Sequence, residues 1–463
     1  MNIRLKNIGI IKDSTVIIDG ITVITGKNNS GKSTFGKALY SVISAAENLY
    51  ENATRDIVEY AEELVTNRIR ANKMNMLFRG MRNYSFSNYS LLKDIYNHSY
   101  PKISSIPELK DFISFVISAV GGIDLNNDEE LLKKSGLINI ENQEIAKNEL
   151  SGDLHDVLHL IDQYSDFIEY EQRKLYHTLS AEFNKQITPV RLSDTTDCQI
   201  SVQTTEGNCD IEIDIKNRSL SYSSNLPLSE KDNVIFFDDA TIVDAIRLNR
   251  RYRTSLHFGI EEFQHYIDSS QHGISLLRKL SIESNGISAM VDEDRYREIE
   301  SLINSVINDD IIEKDSRYVC SSDGLELSNL ATGAKIFLVL KILLMNGSIN
   351  KNTILILDEP ESHLHPEWQN LFAQVVTLLV KEMGIKVVLT SHSPNFVLAM
   401  QTYSMKYNLG KITNFYTTVK DEDGYRVDYK HVDDTTEIYA DFAKFFSQIK
   451  AKYDMLRYGD DND

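Results

Sequence analysis

The 463-residue sequence predicts an α/β protein, a mixed sheet with helices on both faces that is interrupted by large helical insertions. Three observations carry that expectation. Short apolar runs of strand length stand near both ends of the chain, at residues 21–25, 354–357 and 386–391. Each is followed at once by a glycine-rich, acidic or histidine-bearing turn and then by helix-forming residues, the order of a buried parallel strand feeding a helix. The stretches between them are charged, nearly free of proline, and apolar with the period of a helix.

Residues 1–25 read as short strands (Ile3, Leu5; Val16, Ile18; Val23, Ile24) with turns at Asp13 and at Asp19-Gly20. From Ser41 to about residue 185 the pattern is helical, with Leu154, Val157, Leu158 and Ile161 on one helix face. Residues 199–215 alternate with period two around Glu206-Gly207-Asn208, the mark of a hairpin, and residues 233–237 are a further strand. Helical patterning returns from about residue 240 to 313, and strand–helix alternation from Arg317 onward. The expected division is therefore 1–40, the first part of an α/β core; 41–186, a helical insertion; 187–240, hairpin and strand of the core; 241–314, a second helical block; and 315–463, the rest of the core.

Composition narrows the class. Sixty-eight acidic residues against 49 basic ones give a net charge of −19, a poor footprint for wrapping duplex DNA. Three cysteines (Cys198, Cys209, Cys320) have neither a paired framework nor metal-ligand spacing, which points to a reducing cytoplasm. Met1–Gly20 has no signal-peptide core, and the most apolar helix candidate, residues 336–345, is too short to span a bilayer. A membrane is thus not an expected partner.

The chemistry starts at "GKNNSGKST". Gly26, Gly31, Lys32 and Ser33 fit G-x-x-x-x-G-K-[ST] between a strand and a helix. In such a loop the backbone N–H groups of Gly26, Lys27, Asn28, Asn29, Ser30 and Gly31 turn inward around phosphate oxygens, ending at Thr34 in a helix N-terminus. Lys32 would reach the β- and γ-phosphates of the bound polyphosphate, and Ser33 would give its hydroxyl to Mg²⁺. The strand at 354–357 delivers Asp358 and Glu359, the first to hold Mg²⁺ and the second to orient or deprotonate the attacking water. A third strand ends in Thr390-Ser391-His392, where the histidine can bond the γ-phosphate. No N-K-x-D guanine motif accompanies the loop, and the i, i+2 spacing of His363 and His365 is not a zinc pattern.

Phosphate loop, "DEPESHLHP" and "SH" some thirty residues later resemble the heads of ABC-type ATPases of the SMC, RecF and OLD-like branch, over residues 1–40 and 325–412. That resemblance implies a P-loop head and a signature segment acting in trans on the nucleotide of a second head, here Ala331, Thr332, Gly333 and Lys335 in "LSNLATGAKIF". Ala331 stands where the family has serine, and the family's magnesium-sensing glutamine has only Gln199 and Gln203 as candidates. The resemblance further implies a head-to-tail homodimer or higher homo-oligomer. About seventy residues follow His392, too few for the nuclease module of OLD-type proteins. A stand-alone head of this size is similar to the ATPase subunits of bacterial anti-phage systems, Septu first and PARIS second, which work with a separately encoded nuclease. A RecF-like ATPase acting directly on DNA in repair or recombination is the alternative. The run Arg68, Arg70, Lys73, Arg79 and Arg82, free of acids and interleaved with Met and Phe, is a candidate contact for nucleic acid, a phage component or an acidic partner, and residues 247–253 are a second basic run.

Overall fold

The computed structural model describes residues 1–47, 167–189, 198–204, 208–214, 219–222, 233–245, 270–280, 293–307, 311–314, 317–322 and 324–458, with isolated positions between 110 and 162. The chain divides into two units, one of residues 1–47 with 172–463 and one of residues 48–171. Of the second unit the described positions are helical; Leu154 is buried, and Lys110 pairs with Asp162 at 2.5 Å. Both basic runs lie outside the described residues.

The first unit is built on one mixed sheet. Its parallel part holds β3 (Ile21–Thr25), β7 (Asn233–Phe237), β10 (Thr353–Asp358) and β11 (Lys386–Ser391), in the order β3-β11-β10-β7. β12 (Thr413–Lys420) lies on the other side of β3 and pairs antiparallel with β13 (Val427–Val432). Beyond β13 come β2 (Ile11–Ile17), β1 (Asn2–Ile8), β4 (Cys198–Gln203), β5 (Asn208–Asp214) and β6 (Ser219–Tyr222), mutually antiparallel. The β4–β5 hairpin turns between Gln203 and Asn208, where the alternation places it.

The central strands are apolar throughout because they are covered on both faces. Ile21, Val23, Leu355, Leu357, Val387 and Leu389 face one side, packed with α5 (Thr332–Met345), α6 (Pro366–Met383) and α7 (Pro394–Lys406) through Phe337, Phe372 and Phe396. Ile24, Ile354, Ile356 and Val388 face the other, against α1 (Lys32–Ala46) and α2 (Phe167–Glu182) through Phe35, Leu39, Leu175 and Leu179. Each such side chain, fully withdrawn from water, contributes ~1.5–3 kcal/mol. α3 (Gln271–Leu280) and α4 (Glu293–Asn304) add Leu276, Leu277, Ile299 and Ile303 to the first layer.

Two details differ from the sequence reading. Asp13 lies inside β2 opposite Lys6, and the first turn falls instead at Gly9, whose φ of 53° suits glycine. Ile311–Lys314, assigned by its neighbours to a helical block, is a strand, β8, paired with β9 (Arg317–Cys320) in a separate hairpin. The C-terminal α8 (Thr436–Tyr458) exposes Phe446, Ile449, Tyr453 and Leu456, spaced three, four and three residues apart.

Candidate active site

Four parallel strands end on one side of the sheet and supply the site. The register sets Ser391 beside Thr25, Thr390 beside Asp358, and Leu357 beside Phe237. The residues that follow therefore converge, as is usual at the carboxyl ends of strands in open α/β sheets. They surround a cavity of about 430 Å³ lined by Asn28–Thr34, Asp238, Asp358, Glu359, Ile10 and Ser362.

The glycine-rich turn winds through left-handed positions at Asn29 (φ 58°) and Gly31 (φ 78°) before α1 begins. Gly26 is packed so closely that a Cβ there would collide with Thr418 Oγ1 of β12. Tyr429 of β13, buried, donates its hydroxyl to the Gly31 carbonyl at 2.6 Å and fixes the loop from below. Lys32 is 4% exposed; its Nζ donates to the Gly26 and Lys27 carbonyls at 3.0 and 2.9 Å and lies 3.1 Å from Glu359 Oε1. Ser30 Oγ is buried without a hydrogen-bond partner, an acceptor and donor left for a ligand in the cradle.

Asp358 is held by Thr390, which donates to its Oδ1 at 2.5 Å, and by the Ser33 hydroxyl. Burial pushes its carboxyl above the usual carboxylate range against these two donors, and the negative charges of Glu359 and Asp238 add to the rise. A divalent cation between Ser33 and Asp358 would reverse that penalty, so the pair fits Mg²⁺. Among the described residues no three His, Cys, Asp or Glu side chains are grouped so as to hold a metal by themselves.

Glu359 sits at φ 47°, a conformation that costs a non-glycine residue ~1–3 kcal/mol and is held only where the surroundings demand it. Its backbone N–H donates to Thr390 Oγ1 at 3.0 Å, and its carboxylate reaches Lys32 on one side. On the other side His392 Nδ1 lies 3.2 Å from Glu359 Oε2, at ion-pair distance but without hydrogen-bond alignment. Below them Glu361, 2% exposed, accepts from Ser391 Oγ at 2.5 Å and from the His392 N–H at 3.0 Å, tying the acidic turn to the histidine turn. The strand ends at Ser391, and Ser393 then caps α7 with Pro394 opening it, which leaves His392 in the tight turn between them.

The segment Ala331–Lys335 opens α5. Ala331 is exposed and Thr332 half-buried, so both are accessible to another chain. Gly333 is buried: a Cβ there would lie 2.9 Å from the His363 carbonyl, so the glycine serves packing within this chain. Lys335 differs from the expectation of a contact in trans. It is 4% exposed and its ammonium is bonded to both oxygens of Asp244 and to the Ser328 carbonyl. Gln199 and Gln203 lie in β4, and neither lines the cavity.

Asp238, at the end of β7, is the cavity residue that sequence reasoning missed. Its Oδ2 meets His272 Nε2 at 2.9 Å, and His272 Nδ1 meets Glu182 Oε2 at 2.6 Å. The ring lies stacked on Phe236 and edge-on to Tyr40. Burial alone would lower the pKa of His272, but hydrogen bonds and charge from Asp238 and Glu182 outweigh it and raise the value from 6.5 to about 9. A folded-state pKa above the ordinary one gives stability that is present in full below pH 6.5 and is lost as pH rises through about 9. The expected loss is ~3 kcal/mol. Urea unfolding at pH 6 and pH 9.5 checks this, with His272→Gln expected to lack that part of the pH dependence.

No helix among the described residues is long and apolar enough to cross a membrane. No curated protein matches the chain. Among solved structures it is similar to the SMC head domain from Thermotoga maritima (11% identity, TM-score 0.36, covering 94% of this chain and 98% of that one). It is also similar to an Smc head bound to the C-winged helix domain of ScpA (10%, 0.39, 94% and 98%). A third is an Smc head with an extended coiled coil bound to the C-terminal domain of ScpA, derived from Pyrococcus furiosus (9%, 0.40, 97% and 98%). The family described as AAA ATPase domain matches residues 1–397, a span that takes in the phosphate loop, both acids and the histidine. On that match the chain belongs to the AAA ATPase domain family.

Proposed function

We propose that this ATPase binds Mg²⁺–ATP in the cavity at the carboxyl ends of β3, β11, β10 and β7, and hydrolyses it to ADP and phosphate to change its association with partners. The observation that carries the reading is the meeting of three separate stretches of sequence at one place: Lys32, Asp358 and Glu359 line the cavity, and His392 lies against Glu359. Lys32 exchanges its contact with Glu359 for the β- and γ-phosphates. Ser33 and Asp358 would hold Mg²⁺, which would supply positive charge to neutralise the phosphates. Glu359, released from Lys32, holds the attacking water in line and takes its proton. His392 bonds the γ-phosphate and reports its departure through Ser391 and Glu361 to the turn that packs on Gly333.

The same reading has the chain work as a head-to-tail homo-oligomer in which the accessible end of α5, Ala331 and Thr332, faces the partner copy's nucleotide. Its output is control of a separate nuclease effector in bacterial anti-phage defence, within the cytoplasm. Support for a protein partner comes from the net charge of −19, unsuited to bare duplex, and from the apolar stripe on α8. With the Glu359→Gln protein, light scattering is expected to show assembly in ATP that ADP does not support, and tagged protein from its native operon is expected to bring down a nuclease. A strict monomer in ATP sinks the head-to-tail design. DNA cleavage by this chain alone, or tight salt-sensitive duplex binding, moves the reading to an enzyme acting directly on DNA.

A further inference from the structure

We propose that Asp238 is a second carboxylate on the metal side of the cavity, beside Asp358, a positioning residue for the water shell of the nucleotide-bound cation, and that the array Asp238–His272–Glu182 sets it there. The inference deepens the reading of the cavity as a Mg²⁺–ATP site and rests on it.

The argument begins with cost. Glu182 and His272 are both at most 2% exposed, and taking such charges out of water costs several kcal/mol each. Apolar side chains would fill the same space between β7, α1 and α3 without that penalty. The geometry leaves the ring no freedom. Glu182 takes the His272 backbone N–H at 2.9 Å on Oε1 and the ring Nδ1 at 2.6 Å on Oε2, while Phe236 stacks on the ring face at 4.3 Å between centroids. With a carboxylate on each nitrogen, both nitrogens must donate, so the ring is an imidazolium with one donor fixed on Asp238.

Asp238 is where the array leaves the core. Its side chain is 41% exposed against 2% for His272, and it lines the cavity with Ser33 and Asp358. Its strand is the immediate neighbour of the one that carries Asp358, and the two acids interact electrostatically. A hard cation such as Mg²⁺ keeps several waters, which need acceptors at fixed positions. A carboxylate clamped on one oxygen and open to the cavity with its other edge is such an acceptor. The clamp also joins the site to the last turn of α2, the helix that carries the chain back from residues 48–171.

The test measures ATP binding, not turnover, in a Glu359→Gln background, by titrating a fluorescent ATP analogue with and without Mg²⁺. Asp238→Asn is expected to raise the Mg²⁺ concentration needed for half-maximal tightening ~10-fold, a charged hydrogen bond's share, without weakening metal-free binding. Glu182→Gln, buried away from the cavity, is expected to shift it in the same direction by a smaller factor. Asp239→Asn removes the same charge one residue away, where the carboxylate only caps Thr241, and is expected to shift nothing. Unchanged Mg²⁺ dependence in Asp238→Asn overturns the proposal, as does an equal shift in Asp239→Asn, which would mark a diffuse charge effect. If the parent protein itself shows no Mg²⁺-dependent binding, the reading of the cavity fails and this inference with it. Normal parent behaviour beside a silent Asp238→Asn condemns the inference alone.

Discussion

Glu359→Gln is expected to cut ATP turnover ~10²–10⁴-fold, the usual worth of a positioned acid–base group, while nucleotide binding is kept or tightened. The sign of the binding change follows from the ion pair. Glu359 lies 3.1 Å from Lys32, so its charge competes with the γ-phosphate for the same ammonium and repels the phosphate as well. The amide removes both effects and can still bond water, but it takes no proton. The strained backbone is not the variable, since glutamine carries the same φ preferences as glutamate at this position. Equilibrium binding of labelled ATP and single-turnover phosphate release on one preparation separate the two quantities. Turnover at the wild-type rate would remove Glu359 from the role of base and leave His392 as the side chain to test next.

Lys32→Ala is expected to weaken ATP binding roughly 10²-fold, from the loss of about 2–3 kcal/mol of charged hydrogen bonding to phosphate. It also removes the cation from three oxygen groups that face it, the carbonyls of Gly26 and Lys27 and the Glu359 carboxylate. The loop therefore loses order as well as charge. Lys32→Met keeps the apolar stem, which packs at 4% exposure, and distinguishes the two losses. If the methionine variant binds ATP as well as wild type, the lysine is structural. Calorimetric titration of both variants decides this.

The strands that bear the chemistry were legible because burial on both faces writes itself as an unbroken apolar run, as in "ITVIT", "TILILD" and "KVVLTS". The loop, the acid pair and the histidine each follow such a run, so their convergence could be expected before the register was known. What stayed hidden depends on partners remote in sequence. Asp238 after "NVIFF" looks like one of two acids in a surface turn; only the parallel pairing of β7 with β10 sets it beside Asp358. His272 and Glu182 are lone polar residues on amphipathic helices, ninety positions apart, with no spacing to join them. Tyr429 supports Gly31 from 398 positions away. Lys335 enters the signature segment only through the family resemblance, and its partner Asp244 lies in another segment that no spacing connects to it.

The place of β3 in the sheet has a consequence for how the protein is made. Its neighbours are β11, where Val387 pairs with Ile21, and β12, where Phe415 pairs with Val23. The strand that carries the phosphate loop thus leaves the ribosome long before either of its partners. At a synthesis rate of ~5–20 residues per second the gap is ~20–80 s, during which an apolar strand with two open edges waits unpaired. Contacts of such long range make for slow folding. Inserting residues 48–171 between the loop and its partners adds little to the equilibrium cost, since loop closure grows only with the logarithm of length, but it lengthens the wait in direct proportion. A nascent chain that stops short of residue 386 carries the whole phosphate loop and has no strand beside β3 to hold it in shape.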